Sequence, residues 1–382
     1  MASHRWGARG ASVAAVAGAL LAGAAWGQQF QPEQVSVAPP ITAKNRVYVL
    51  DIAINHIADG KLHIVDGDSL RYLGLIGTGF TGQTILSPDG KEIIVATGYL
   101  SRGQRGERAD IVEVWDADTL QFKYEIPIPD KRAMALNYEG LLRLSSTGRW
   151  LFVQNATPAT SVTLVDMQAK QALDDISMPG CFGIYPSQTN PNRFASLCGD
   201  GTIATVTLDD SGNVASRDTT QKIFDPDSDA WFISGEQVGD TYYFVSFKGN
   251  LTAVDVSGAT AKVTGTWPLV TGADAKKKWR PGGYQPLAIQ GNRIYVAVHP
   301  NGAEGSHKNP AAEIWAFDLT TKKRVARMKG HNAIALEASA DGSKLYAIDP
   351  VKLALVVYDN LGAKPKIRSL PVGETAVQLV AP

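Results

Sequence analysis

The chain has 382 residues with 37 Lys+Arg balanced by 37 Asp+Glu. It therefore has no basic excess to neutralise phosphates and no polybasic segment for a lipid surface, so neither nucleic acid nor a membrane is an expected partner. Apolar residues make up 44% and charged residues 19%, the composition of a well-packed protein large enough to bury a substantial core. Its two cysteines, Cys181 and Cys198, are too few for a thiolate cluster, and no C-x-x-C-H occurs for covalent haem attachment.

The first thirty residues, MASHRWGARGASVAAVAGALLAGAAWGQQF, place Arg5 and Arg9 ahead of an apolar run over 11–25, with small residues before Gln28. That is the pattern of a secretory signal peptide, 1–27, cleaved near Gly27. The run is too short to span a bilayer. The expectation is an exported, periplasmic protein whose mature part, 28–382, is a single domain.

From there the chain repeats itself. Seven β-type strings end in aspartate: LHIVD at Asp66, VEVWD at Asp116, VTLVD at Asp166, TVTLD at Asp209, LTAVD at Asp255, IWAFD at Asp318 and LVVYD at Asp359. Upstream of each lies a second β-branched or aromatic run: RVYVLD, EIIVAT, RWLFVQ, RFASLC, YYFVS, RIYVAV and KLYAID. Turn signals such as SPDGK (87–91), SSTGR (145–149) and SADGSK (339–344) precede most of them. Each unit also has room for a further strand, as in LQFKYEIPIP (120–129). Helical periodicity is nearly absent; TGADAKKKW (271–279) allows two turns. Hairpin pairs recurring about every 40–50 residues predict an all-β fold, a seven-bladed β-propeller of four-stranded antiparallel blades.

Positions 77–82 read GTGFTG, which fits the dinucleotide-binding spacing G-x-G-x-x-G. That motif needs a helix opening inside it to hold a pyrophosphate. Here Pro88, Asp89 and Gly90 stop any helix within two turns and a strand follows, so a nucleotide loop is not expected. In a four-stranded blade, the link from the outermost strand to the next innermost strand emerges at the same end as the link between the second and third strands. GTGFTG and KKWRPGGYQP (277–286) are links of the first kind, GYLSRGQRGERAD (98–110) and HPNGAEGSHKNPAAE (299–313) of the second. Long loops gathered on one face mark binding, and Phe80 is an aromatic set among glycines there.

Catalytic signals are missing. His299 and His307 share one loop, but their spacing matches no zinc pattern and no third ligand is evident, so no metal is expected. The repeated aspartates read as turn caps, and Trp115 and Trp315 as wedges between blades. Cys181 opens one strand and Cys198 closes the next, so they face each other across a hairpin, and in an exported chain they form a disulfide.

Three stretches, RGERADIVEVWDADTL, WRPGGYQP and EGSHKNPAAEIWAFD, are similar to the heavy chain of quinoprotein amine dehydrogenases, with the resemblance running from about residue 36 to 378. The last stretch, with ATPATS (156–161), resembles the aromatic amine branch more than the methylamine branch. The resemblance implies two heavy and two light chains. The light chain carries the base and tryptophan tryptophylquinone, and none of the catalytic residues belongs to this chain. Primary amines, aromatic ones in particular, become aldehyde and ammonia, and electrons pass to an azurin-like or amicyanin-like copper protein. Phe80 matches the aromatic that lines the family's substrate channel, in a loop more glycine-rich than the family pattern, and Cys181–Cys198 matches its hairpin disulfide. The alternatives are a methylamine-specific heavy chain, a metal-dependent lactonase-like propeller with a cation in its central channel, and a propeller serving only as an interaction scaffold.

Overall fold

In each repeat the upstream string becomes the second strand of a sheet and the aspartate-ending string the third. A computed structural model describes residues 38–382, apart from Leu136 and Ala363; the expected signal peptide at 1–27 lies outside the described residues. Blade 2 shows the unit: Gln83–Leu86, Glu92–Leu100, Arg108–Asp116 and Phe122–Ile128 pair in that order. All its pairs are antiparallel, with Glu92 opposite Asp116 across the middle of the sheet. Seven such sheets make the seven-bladed β-propeller that the repeat predicts. The longest interval between repeat aspartates, Asp255 to Asp318, is where blade 6 carries an extra short strand, Arg280–Pro281, paired with Arg293–His299.

Blade 1 closes the ring. Its second, third and outer strands, Arg46–Asp51, Gly60–Asp66 and Tyr72–Gly79, come from the start of the described chain, and its innermost strand, Ala376–Val380, comes from the end. Tyr48 faces Val380 across this seam. The closure joins the first and last strands of the described chain through backbone hydrogen bonds and covers the inner edge of Arg46–Asp51 with the short strand Ala376–Val380; radial repetition of this kind leaves only short, protected edges.

Burial follows position in the blade. Trp150–Asn155 and Lys344–Asp349, both second strands, are buried at every position because neighbouring blades cover both faces. The outer strand Lys262–Pro268 alternates exposed and half-buried residues, as a one-sided strand should. The core accordingly sits between blades: among the described residues, seven apolar clusters each join two adjacent blades. Trp315 wedges into the cluster between blades 5 and 6, beside Leu251 and Trp279, and Trp115 packs on the cluster between blades 1 and 2.

The repeat aspartates cap the turns that follow their strands. Asp116 Oδ1 accepts from the backbone N–H groups of Asp118 and Thr119 at 3.1 and 2.8 Å, and Asp166 Oδ1 from those of Gln168 and Ala169 at 2.9 and 3.0 Å. Asp359 departs from the pattern: its carboxylate accepts from Arg368 Nε at 2.6 Å. The helix expected in 271–279 is Gly272–Lys276. A second short helix, Pro226–Asp229, has Asp225 as its cap, and no helical period announced it.

Candidate functional site

The links from outer to next inner strand, and from second to third strand, leave the propeller at one end, opposite the capped aspartate turns. GTGFTG is such a link: Tyr72–Gly79 runs into it and the inner strand Gln83–Leu86 begins right after Gly82, so no helix opens there and the phosphate-loop geometry is absent. Phe80 lines a cavity of about 680 Å³ on this face. Ile54 and Ile57 of the blade 1 link, Met134 of the link between blades 2 and 3, Phe182 at the start of blade 4 and Tyr284 of WRPGGYQP complete an apolar bowl. Arg108 from the 98–110 segment and Thr157 from ATPATS stand at its sides. Among the described residues the bowl lining holds neither histidine nor carboxylate nor cysteine; its ionisable groups are Arg108, Arg132 and Tyr284.

A second cavity of about 360 Å³ adjoins the bowl, and Phe182 and Tyr284 belong to both. Glu304 and His307 of the 299–313 segment line its far side. The two motif loops around it are stitched together: Gly283 N–H donates to His307 O at 2.9 Å and Gly302 N–H to Lys278 O at 2.7 Å. Close backbone approach explains both glycines of WRPGGYQP, to the 299–313 loop at Gly282 and to Ile334 at Gly283. A Cβ on Gly282 would stand 2.6 Å from Asn309 O, and one on Gly283, whose φ is +115°, would stand 2.4 Å from Ile334 O. The four segments chosen from the sequence therefore meet around two joined cavities.

Cys181 and Cys198 are bonded, directly opposite each other in the pairing of Cys181–Pro186 with Arg193–Cys198. The bond ties the inner strand of blade 4 at the point where Phe182 enters both cavities. His299 is buried, with Nδ1 at 3.2 Å from Pro300 O, and its burial lowers its proton affinity. His307 is exposed at the rim. Among the described residues no group of three His, Cys, Asp or Glu side chains is placed to hold a metal ion.

The pattern of the family described as methylamine dehydrogenase heavy chain (MADH) matches residues 43–377. The chain belongs to this family. It is 31% identical to the methylamine dehydrogenase heavy chain of Methylobacillus flagellatus over 337 residues, 85% of this chain and 81% of the relative. The heavy chain of Paracoccus versutus is 30% identical, over 86% of this chain and 77% of that one. Among solved structures, the periplasmic gluconolactonase PpgL of Pseudomonas aeruginosa superposes with a TM-score of 0.59 at 15% identity, covering 88% of this chain and 98% of that one. A putative 6-phosphogluconolactonase of Bacteroides fragilis gives 0.60 at 12%, over 91% and 99%. Likeness at that level is a likeness of fold.

This amine dehydrogenase heavy chain also holds a charged group that the motifs did not reveal. The innermost strands of blades 3, 5 and 7 place Arg143, Glu236 and Glu337 around a cavity of about 450 Å³, joined by Glu139 from the turn before blade 3. Arg143 Nη1 pairs with Glu139 Oε1 at 2.7 Å, and Gln285 Nε2 donates to Glu337 Oε2 at 3.1 Å. Burial, reinforced by the charge of Glu139, raises the carboxyls of both Glu236 and Glu337 well above the usual range. One cation for three acids leaves protons as the means of balance.

Proposed function

We propose that this heavy chain is the non-catalytic subunit of a periplasmic amine dehydrogenase that converts primary, preferentially aromatic, amines to aldehyde and ammonia. The observation that carries the reading is the bowl: an apolar, aromatic-walled cavity of about 680 Å³ with, among the described residues, no carboxylate or imidazole to act as a base. Proton abstraction from an amine-bearing carbon needs a positioned base within hydrogen-bond reach, and the bowl offers binding surface without one. The base then comes from the partner. In this reading a light chain docks on the loop face, and its tryptophan tryptophylquinone supplies an electrophilic carbonyl and accepts two electrons. This chain supplies the wall, the exclusion of water and the hold on the substrate side chain. Exposed apolar residues on the same face, Ile54, Val351 and Leu353, suit a covered surface better than a wetted one. Two heavy and two light chains, export through the signal peptide at 1–27, and an azurin-like or amicyanin-like electron acceptor complete the proposal.

The relatives are named for methylamine, which favours the smaller substrate as the second reading. Bowl volume and the aromatic wall favour an aryl side chain, since cavities of 300–1,000 Å³ enclose far larger molecules than methylamine. The test is expression with and without the light chain. Alone, the heavy chain should show neither amine oxidation nor quinone absorbance, and co-expression should supply both. Turnover of phenethylamine or tyramine by the isolated chain would reject the reading. The ratio of kcat/KM for phenethylamine to that for methylamine then separates the two substrates.

A further inference from the structure

Arg132 is a cation buried to 1% exposure in the link between blades 2 and 3. Burial pulls its guanidinium down to about 10, opposed by the nearby carboxylate of Asp110, so it remains charged at neutral pH. Its side-chain hydrogen bonds go to backbone carbonyls. Nη1 donates to Thr81 O and Nη2 to Phe80 O, both at 2.8 Å. Five residues on, Asn137 Nδ2 donates to Gly82 O at 2.6 Å. The three consecutive carbonyls of the Phe80–Thr81–Gly82 link are thus all held by side chains of one neighbouring link, while Phe80 N–H donates to Gly98 O at 3.0 Å.

The link needs this hold. Thr81, a β-branched residue, adopts φ +45°, and Gly79 before it φ +54°; a non-glycine residue persists in that region where its surroundings over-determine it. A planar guanidinium spanning two successive carbonyls fixes their relative orientation, which a single ammonium cannot do. Asp110 anchors the clamp in turn: its Oδ2 accepts from Arg132 N–H at 3.2 Å, and Arg108 pairs with the same carboxylate. Burying an arginine is unfavourable unless its donors are matched; here Nε has no partner, and the acceptors that Nη1 and Nη2 do find are the backbone that carries Phe80.

We propose that Arg132 and Asn137 are positioning residues that fix the pose of Phe80 and thereby set the discrimination between aryl and alkyl amines. The inference rests on the amine dehydrogenase reading above. Both side chains border the bowl, Arg132 at 1% and Asn137 at 5% exposure, and each acts through the angle at which the Phe80 ring meets the substrate.

The test uses the assembled enzyme, heavy chain with light chain, carrying Arg132→Met, Arg132→Lys or Asn137→Leu, each alone and combined with Phe80→Ala. The quantity read is the ratio of kcat/KM for phenethylamine to that for methylamine. Loss of an aromatic contact corresponds to roughly 2- to 13-fold in rate, so Arg132→Met and Asn137→Leu should lower the ratio by that order. Arg132→Lys, which reaches one carbonyl, should fall between. In the Phe80→Ala background none should change the ratio further, because residues acting through one group are non-additive. A ratio unmoved in assembled, folded variants, or the same change with and without Phe80, overturns the proposal. Should Arg132→Met fail to assemble, Asn137→Leu decides, since it removes a single hydrogen bond. A native assembly that oxidises no primary amine overturns the functional reading and the inference together, an outcome distinct from either of the others.

Discussion

Reducing the Cys181–Cys198 bond tests how the inner strand of blade 4 is held. The two residues are 17 apart in sequence. Opening a loop of that size returns about 10 cal/mol/K of chain entropy to the unfolded state, or about 3 kcal/mol at 25 °C in the chain-entropy account. The ring unit runs from Pro40 to Pro382, and at about 2.1 cal/mol/K of melting entropy per residue the loss corresponds to a fall in Tm of about 4 °C. The comparison is a thermal melt of the native protein followed by circular dichroism, with and without reductant. Reduction leaves both sulfurs in the core between blades 3 and 4, whereas Cys181→Ala with Cys198→Ala removes them and should melt lower still. A fall under about 1 °C on reduction would refute the reasoning. It would mean that the hairpin formed by Cys181–Pro186 and Arg193–Cys198 constrains the chain equally without the covalent link.

Phe80 is half-buried at the cavity wall, so Phe80→Ala should lower the aryl-to-methyl ratio of kcat/KM by roughly 2- to 13-fold and shift Tm by no more than about 2 °C. A variant that unfolds places Phe80 in the core rather than on the wall. Glu337 gives a pH prediction. Burial and the charge of Glu139 raise its carboxyl in the folded chain, so the folded state keeps a proton that the unfolded state releases above the ordinary carboxylate range. Its contribution to stability is complete at pH values below that range and is lost as pH rises toward the raised folded value. Glu337→Gln removes the dependence, and its Tm relative to native should become more favourable from pH 5 up to the folded value of about 8 and level off above it; a constant difference would refute the assignment.

The fold was legible because its signals are local. Each blade repeats a hairpin whose turn residues and alternating strands sit within twenty or so positions, and the aspartates that cap the far turns mark the period. The ring closure was not legible. Ala376–Val380 pairs with Arg46–Asp51 from the opposite end of the chain, and the innermost strands of blades 3 and 7, Leu142–Leu144 and Leu336–Ala338, are three residues each, too short for a period to register. The same shortness hid the half-buried charges: Arg143, Glu236 and Glu337 stand about two blades apart in sequence and converge through ring geometry alone. Their one sequence mark is a charged residue at an inner-strand position in alternate blades.

The bowl shows a subtler limit. GTGFTG reads as an adaptable loop, because glycine permits many backbone conformations and costs entropy to fix. In the folded chain its last three carbonyls are taken by Arg132 and Asn137, some fifty residues on. Composition therefore reports how freely the loop moves in the unfolded chain, while the neighbouring link decides how it sits in the folded one. A single arginine in the otherwise apolar run RAMAL (132–136) was the available clue, since a cation there has to find acceptors. The acceptors it finds belong to the loop that presents Phe80, so the stiffness of the substrate wall is encoded in the next blade rather than in the loop itself.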